Sequence, residues 1–363
     1  MDLGIIGFQR SGKTTIFNAV TKGSAQTGSY GAGVQPNIGV VKVPDERLDK
    51  LAKIFDPKKF TLADIRYIDF PGEAFSSGQG PPPQFLAQLA RCDALIHVVR
   101  SFKDETVPHP QGSVDAMRDA AAMDLELAFA DAAFIERRLE RIEAESRSIK
   151  VAEREGMERQ VTLLKRLKAG LEADTPLRGQ ALDEEEARML VNYQFLTDKP
   201  LLIVVNIDEG DVTRTAEIEA EFSAKFGGAH TAAAAISGKI EAELVQMSDE
   251  EAVEFRGDLG IKEAGLDRMI RMSYELTGLI SFFPVGPDEC RAWNVTRGSA
   301  APASAGKIHT DLERGFIRAE VVRWDELLAG GSIAEARKHG QLRQEGKNYI
   351  VQDGDCLNIL FNV

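Results

Sequence analysis

Gly7-Phe8-Gln9-Arg10-Ser11-Gly12-Lys13-Thr14 fits G-x-x-x-x-G-K-[ST], the pattern of a loop that cradles phosphates. Its surroundings decide the fold. Leu3-Gly4-Ile5-Ile6 ahead of it reads as a buried strand, and Thr15-Ile16-Phe17-Asn18-Ala19-Val20 behind it as the start of a helix. Glycines let the backbone curl so that its N–H groups point inward at phosphate oxygens. The helix N-terminus adds partial positive charge. Lys13 brings a full charge to the outer phosphates, and the Thr14 hydroxyl can ligate Mg²⁺. Gln9, Arg10, Ser11, Gly12, Lys13, Thr14 and Thr15 are therefore the candidate phosphate-binding residues.

The bulk properties narrow the class. At 363 residues the chain is long enough for two or three domains. A formal net charge of −13 argues against a general nucleic-acid coat, and DNA is not an expected partner. Cys92, Cys290 and Cys356 are widely spaced and form no C-x-x-C pair, so neither a zinc site nor a disulfide framework is indicated. The chain opens directly on strand-like sequence, without a signal peptide, and no apolar run approaches the ~20 residues of a membrane helix. These features predict a cytoplasmic protein with no membrane association.

Outward from the loop, strand-like runs recur at Leu3–Ile6, Ile38–Val43, Ile65–Phe70 and Ala94–Val99, and residues 84–90 read as a helix. Such alternation implies an α/β fold with a doubly wound parallel sheet. From about Ala120 to Thr175 the texture becomes helical. Phe134, Ile135, Leu139 and Ile142 recur at helical spacing, as do Val161, Leu164, Leu167 and Leu171, with a polar stretch at 146–156 between them. This reads as an antiparallel, partly coiled-coil helical hairpin inserted in the nucleotide domain. Thr175-Pro176 ends it, and Asp183-Glu184-Glu185-Glu186 opens another helix. The sheet returns at Leu201–Val205. After 278 short strands are expected at Arg291–Val295, Phe316–Val322, Tyr349–Val351 and Leu357–Phe361, with turns at Arg297-Gly298 and Asp353-Gly354. The expected domains are 1–122 with 198–277 for nucleotide binding, 123–197 for the helical insertion, and 278–363 as a small mixed α+β domain.

Three further motifs fall on strand ends. Asp69-Phe70-Pro71-Gly72 fits D-x-x-G, where the Asp holds Mg²⁺ and the Gly72 amide senses the γ-phosphate. Asn206-Ile207-Asp208-Glu209 stands where GTPases carry N-K-x-D, with Ile207 for the Lys and Glu209 for the guanine-reading Asp. A carboxylate one methylene longer cannot meet two guanine donors in the same plane, which weakens discrimination and opens the site to ATP. Ser237-Gly238-Lys239 resembles the loop that closes over the base in this superfamily.

Together G-F-Q-R-S-G-K-T, D-F-P-G, N-I-D-E and S-G-K-I-E-A-E-L resemble the Obg-like ATPase, or YchF, family of translation-factor-related P-loop proteins. Residues 308–321, Gly286-Pro287-Asp288-Glu289 and Val351-Gln352-Asp353-Gly354-Asp355 look like that family's TGS domain. The resemblance covers essentially the whole chain. It implies an α/β nucleotide domain, a coiled-coil hairpin, a β-grasp TGS domain, ATP preference, and association with ribosomes or RNA.

The chain departs from the family pattern at the switches. Gln9 and Arg10 replace the family's Pro and Asn, and Gly33 stands in place of the switch-I Thr. Glu73-Ala74-Phe75 follows D-x-x-G with about two residues deleted before Ser76, and Pro81-Pro82-Pro83 stiffens the exit. Glu73 is a candidate to orient the attacking water or accept its proton. Arg10, which offers only donors, is a candidate to replace a bound monovalent cation as a built-in arginine finger. Lys13, Glu73 and Arg10 are thus the catalytic candidates, and Thr14 and Asp69 the metal candidates.

Other residues read as structural. Arg137, Arg138 and Arg141 interleave with Glu136, Glu140 and Glu143, which reads as a solvated, salt-bridged helix face. His309 reads as a packed structural histidine, and Cys92 as a core residue in an apolar strand region. The function expected is slow hydrolysis of Mg²⁺·ATP as a switch on the translation machinery. The rivals are a nucleotide-gated interaction protein with negligible hydrolysis and a GTP-preferring enzyme.

Overall fold

The computed structural model describes residues 1–23, 36–75, 81–146, 151–228 and 230–362, apart from the side chains at 73 and 151–153. The first elements are β1 (Asp2–Ile6), α1 (Lys13–Thr21), β2 (Asn37–Val43), α2 (Glu46–Phe55), β3 (Lys59–Thr61), β4 (Ala63–Asp69), α3 (Pro83–Leu89) and β5 (Ala94–Arg100). There follow α4 (Ala116–Ser146), α5 (Val151–Glu172), α6 (Glu184–Leu190), β6 (Leu201–Asn206), α7 (Thr215–Phe226), β7 (Thr231–Ile236), α8 (Gly238–Leu244), α9 (Asp249–Asp258) and α10 (Gly265–Leu276). The last are β8 (Leu279–Phe282), β9 (Glu289–Arg291), β10 (Trp293–Thr296), α11 (Ala301–Ile308), α12 (Thr310–Arg314), β11 (Phe316–Arg323), α13 (Trp324–Gly330), α14 (Ile333–Lys338), β12 (Arg343–Glu345) and β13 (Asp355–Phe361). They fall into two units, Met1–Gly39 with Arg66–Leu276, and Val40–Ile65 with Thr277–Val363.

The first unit is organised on the sheet strands in the order β4-β1-β5-β6-β7, each parallel to its neighbours. Parallel strands covered on both faces need apolar side chains on both. Accordingly every residue of β5 and of β6 is buried. Reading 1→4 on one side and 1→5 on the other places the switch in strand order at β1, so the crevice at its carboxyl end is where a ligand belongs.

Helix α4 serves two cores. Its first half puts Ala120, Met123 and Leu127 into the sheet cluster with Leu95, Val99 and Ile203. Its second half puts Ile135 and Ile142 against Leu163, Leu164, Leu167 and Leu171 of α5. The hairpin is tied to the sheet-bearing part at Asp131. One of its oxygens accepts the Leu196 N–H at 2.9 Å, and the other accepts the N–H and hydroxyl of Thr197 at 2.8 and 2.7 Å. Asp183 caps α6 through a capping box with Glu186, as the acidic run suggests.

In the second unit β11 is the middle strand of the sheet β12-β11-β13, both neighbours antiparallel to it. Amphipathic α2 belongs here: Leu48 and Leu51 pack with Phe283, Cys290, Val322 and Cys356. The expected bounds keep 40–65 with the nucleotide domain, since nothing local in α2 marks packing partners more than 200 residues along the chain. The expected strand Arg291–Val295 is two strands. It breaks at buried Ala292, with β9 pairing parallel to β3 and β10 antiparallel to β8. Tyr349–Val351 is not a strand. Its backbone bonds go to the 299–301 turn, from Val351 N to Ser299 O and from Ala301 N to Tyr349 O, leaving one bridge at Ile350.

His309 is not packed. Its ring is 65 % exposed, and Nδ1 accepts the Asp311 N–H to cap α12. Cys92 is buried as expected, although it lies in the turn before β5 rather than in a strand. All three cysteines are free and buried. Arg138 pairs with Glu145, while Arg137 and Arg141 are exposed.

Candidate functional site

The phosphate-loop sequence folds between β1 and α1 as its glycines require. Arg10 takes φ 62° and Gly12 φ 88°. A Cβ on Gly12 would stand 2.1 Å from Asn206 Nδ2, so this position needs glycine for space as well as for φ. Asn206, at the end of β6, explains the close approach. Its amide donates to Ser11 O at 3.0 Å and accepts the Gly238 N–H at 2.9 Å. One buried side chain thus joins the phosphate loop to the Ser237-Gly238 loop.

Lys13, Thr14 and Asp69 are 6, 7 and 0 % exposed. The Thr14 hydroxyl donates to Asp69 Oδ2 at 2.9 Å, and Asn37 Nδ2 reaches the same oxygen at 3.3 Å. Gly72 presses on this group from the D-x-x-G side. A Cβ there would lie 2.7 Å from Lys13 Nζ and 3.0 Å from Gln9 N. A 3₁₀ turn, Gly72–Phe75, follows, held by Phe75 and Phe70 packing edge-on against Phe85 at 5.2 and 5.1 Å.

Lys13, Thr14 and Gly72 line a cleft of about 1330 Å³. Gln9, Arg10, Gly12, Lys13, Thr14, Thr15 and Gly72 meet there, and Asn206, Ile207, Glu209, Ser237 and Gly238 line it as well. Ser11 and Asp69 are the exceptions among the described candidate side chains: Asp69 is fully buried, and Ser11 borders a separate small cavity. Glu209 is bonded to Lys239 Nζ at 2.7 Å, and both line the cleft. That hydrogen bond and charge hold the Lys239 ammonium above its ordinary range. Ile207, aligned with a base-covering Lys stem, is only 1 % exposed and packs in the sheet core. Arg10 Nη1 donates to Pro108 O at 2.8 Å. Gly33, residues 76–80 and the Glu73 side chain lie outside the described residues.

Sequence reasoning missed the loop after β5. Phe102, Lys103, Asp104, Glu105 and Val107 line the cleft, as do Gln246 and Met247 beyond α8. Arg100 stacks on Phe102 at 4.5 Å and donates to its carbonyl at 3.2 Å, which fixes the loop at its root. The available signal was positional: ligand-binding loops follow the carboxyl ends of parallel strands, and β5 is central.

With this geometry in hand, likeness to known proteins is informative. Residues 2–127 match a family described as 50S ribosome-binding GTPase. Residues 279–362 match the YchF-GTPase C-terminal family, described as a protein of unknown function. The chain is 38 % identical over 365 residues to the "Ribosome-binding ATPase YchF" of Bacillus subtilis (strain 168), covering 99 % of each chain. It is 36 % identical over 366 residues to the protein of that name from Escherichia coli O157:H7, again covering 99 % of each. The solved structure of the Schizosaccharomyces pombe YchF GTPase covers 99 % of this chain and 97 % of its own, with 29 % identity and a TM-score of 0.85.

Proposed function

The chain belongs to the YchF family, and we propose that it is a triphosphatase that binds Mg²⁺·ATP, hydrolyses it slowly, and uses the cycle to switch its contacts with the ribosome. The observation that carries this reading is the convergence of Lys13, Thr14, Asp69 and Gly72 at the start of α1. Hydrolysis needs positioning and charge neutralisation: water attacks the γ-phosphorus, the bond to the β-bridging oxygen breaks, and ADP and phosphate leave. Lys13 and the loop amides would hold the β- and γ-phosphates, and Gly72 would report the γ-phosphate through its amide.

A buried hydroxyl and carboxylate 2.9 Å apart are hard oxygen donors suited to Mg²⁺. Thr14 would ligate the ion and Asp69 would hold it directly or through water. When bound, Mg²⁺ would neutralise charge on the β- and γ-oxygens. Glu73 is proposed to orient the water, so Glu73→Leu should lower turnover and leave ATP affinity unchanged; unchanged turnover would retire that role.

For the base, the reading is ATP over GTP, from Glu209 in the place of the guanine-reading Asp. The relatives' names differ on this point, ATPase for the bacterial proteins and GTPase for the yeast structure. Residues 278–363 are taken as the TGS domain, which the family resemblance associates with ribosomes or RNA. Among the described residues no helix is long and apolar enough to cross a membrane, and a cytoplasmic site of action fits a ribosomal partner. Phosphate release from ATP and from GTP, with and without ribosomes, tests the whole proposal. ATP turnover that ribosomes change supports it. Release from neither nucleotide leaves the interaction-protein reading, and release from GTP alone the GTPase reading.

A further inference from the structure

A second, much smaller cavity shares the phosphate loop as a wall. Phe8, Gln9 and Ser11 face residues 97–100 of β5 across it, and His109 and Asp119 close it. It has about 10 Å³ of room for the centre of a water-sized sphere, the order of space one water needs. Ser11 and His97 are 3 and 2 % exposed, yet Ser11 Oγ and His97 Nε2 have no hydrogen-bond partner among the described residues. Buried polar atoms are rarely left so, and Ser11 and His97 both line this small void. His109 Nε2 and Asp119 Oδ2 are 2.9 Å apart and satisfy each other. A Cβ on Gly7 would stand 2.9 Å from Ser11 Oγ, so glycine there keeps the space beside the hydroxyl open.

We propose that this cavity binds one structural water that bridges Ser11 Oγ to His97 Nε2 and so braces the phosphate loop against β5. The hydrogen-bonding capacities match. Burial, helped by nearby Arg178, lowers the His97 pKa to about 3, so the ring is neutral and its Nε2 can accept. A water can donate one proton to His97 Nε2 and the other to Ser11 Oγ, within the two to four bonds of a buried water. Ser11 is then held twice, its carbonyl by Asn206 and its hydroxyl by the water. Gly12, Lys13 and Thr14 follow it directly, so loosening Ser11 loosens the cradle without touching the phosphates. Ser11 and His97 act as positioning residues. Their effect on nucleotide affinity rests on the function proposed above, whereas the water itself does not.

The test is a high-resolution crystal structure of the full chain and of His97→Leu and His97→Gln, with ATP titrations and thermal melts of all three. The parent should show one water peak at about 2.6–3.2 Å from both Ser11 Oγ and His97 Nε2. His97→Leu should lack it and bind ATP at least about fivefold more weakly. His97→Gln, which keeps an acceptor, should retain the water and bind within about twofold of the parent. An empty cavity in the parent, a direct Ser11–His97 hydrogen bond that closes it, or parental affinity in a folded His97→Leu would overturn the proposal. If the parent bound no nucleotide, the triphosphatase reading would fall, and the density alone would decide the water site.

Discussion

At the phosphate end of the cleft Lys13, Thr14 and Asp69 are at most 7 % exposed, while at the other end the Glu209 and Lys239 side chains are 42 and 68 % exposed. The first set is held by a loop that needs glycine at position 12 and by bonds across it. The second is one ion pair between solvated side chains, a kind of contact worth little by itself. The contrast separates what is common to the chemistry from what selects the base. Phosphate binding is built into main-chain geometry, and base choice rests on side chains that can be exchanged without disturbing the sheet.

The largest effect should come from removing the buried charge. Lys13→Ala is expected to weaken triphosphate binding at least about 100-fold, or ~2.7 kcal/mol, measured by titration. A loss below about threefold would break the contrast, because the phosphate end would then be as tolerant as the base end.

Gly72→Ala probes the same end through space. Its Cβ would displace the Lys13 ammonium, and the main chain at Gln9 N and Gly7 O, each 3.0 Å away, leaves little room to shift. Turnover and ATP affinity should each fall about tenfold with folding retained, as checked by melting temperature. Parental kinetics would show that the glycine is dispensable there.

Arg10 sits between the two regimes. It belongs to the phosphate loop, yet its guanidinium is bonded to Pro108 O. As a finger it would have to leave that carbonyl when ATP binds. If it does, the parent should turn over ATP equally in K⁺ and Na⁺, and Arg10→Asn should be about threefold slower in Na⁺ with partial recovery in K⁺. Strong K⁺ stimulation of the parent, or parental Na⁺ turnover in the variant, would leave Arg10 as a tie to the 101–110 loop only.

The sequence revealed this architecture unevenly, for the same reason that the two ends differ. The loop, D-x-x-G and the apolar strands were legible because backbone demands restrict residue type: Gly12 has no substitute at φ 88°, and β6 has to be apolar on both faces. Contacts between distant segments were not. Nothing local marks Leu48 and Leu51 as partners of Phe283 and Cys356, or Phe102 as a wall of the cleft. Arg291–Val295 looked like one strand because its composition is continuous, while its hydrogen-bonding partners change at Ala292. Ile207 was read by alignment with a base-covering Lys, yet its burial makes Ile207→Lys a core disruption. A test of base choice is therefore cleaner at Glu209 alone.

The central claim is that the fixed phosphate end serves a base end that does not demand guanine. Equilibrium titration of ATP and GTP with Mg²⁺, on the parent and on Glu209→Asp, tests it most directly. The parent should bind ATP at least as tightly as GTP, and Glu209→Asp should shift the ratio toward GTP by about two- to fivefold at little cost in stability. A parent that prefers GTP by more than about tenfold, ~1.4 kcal/mol, would contradict the account.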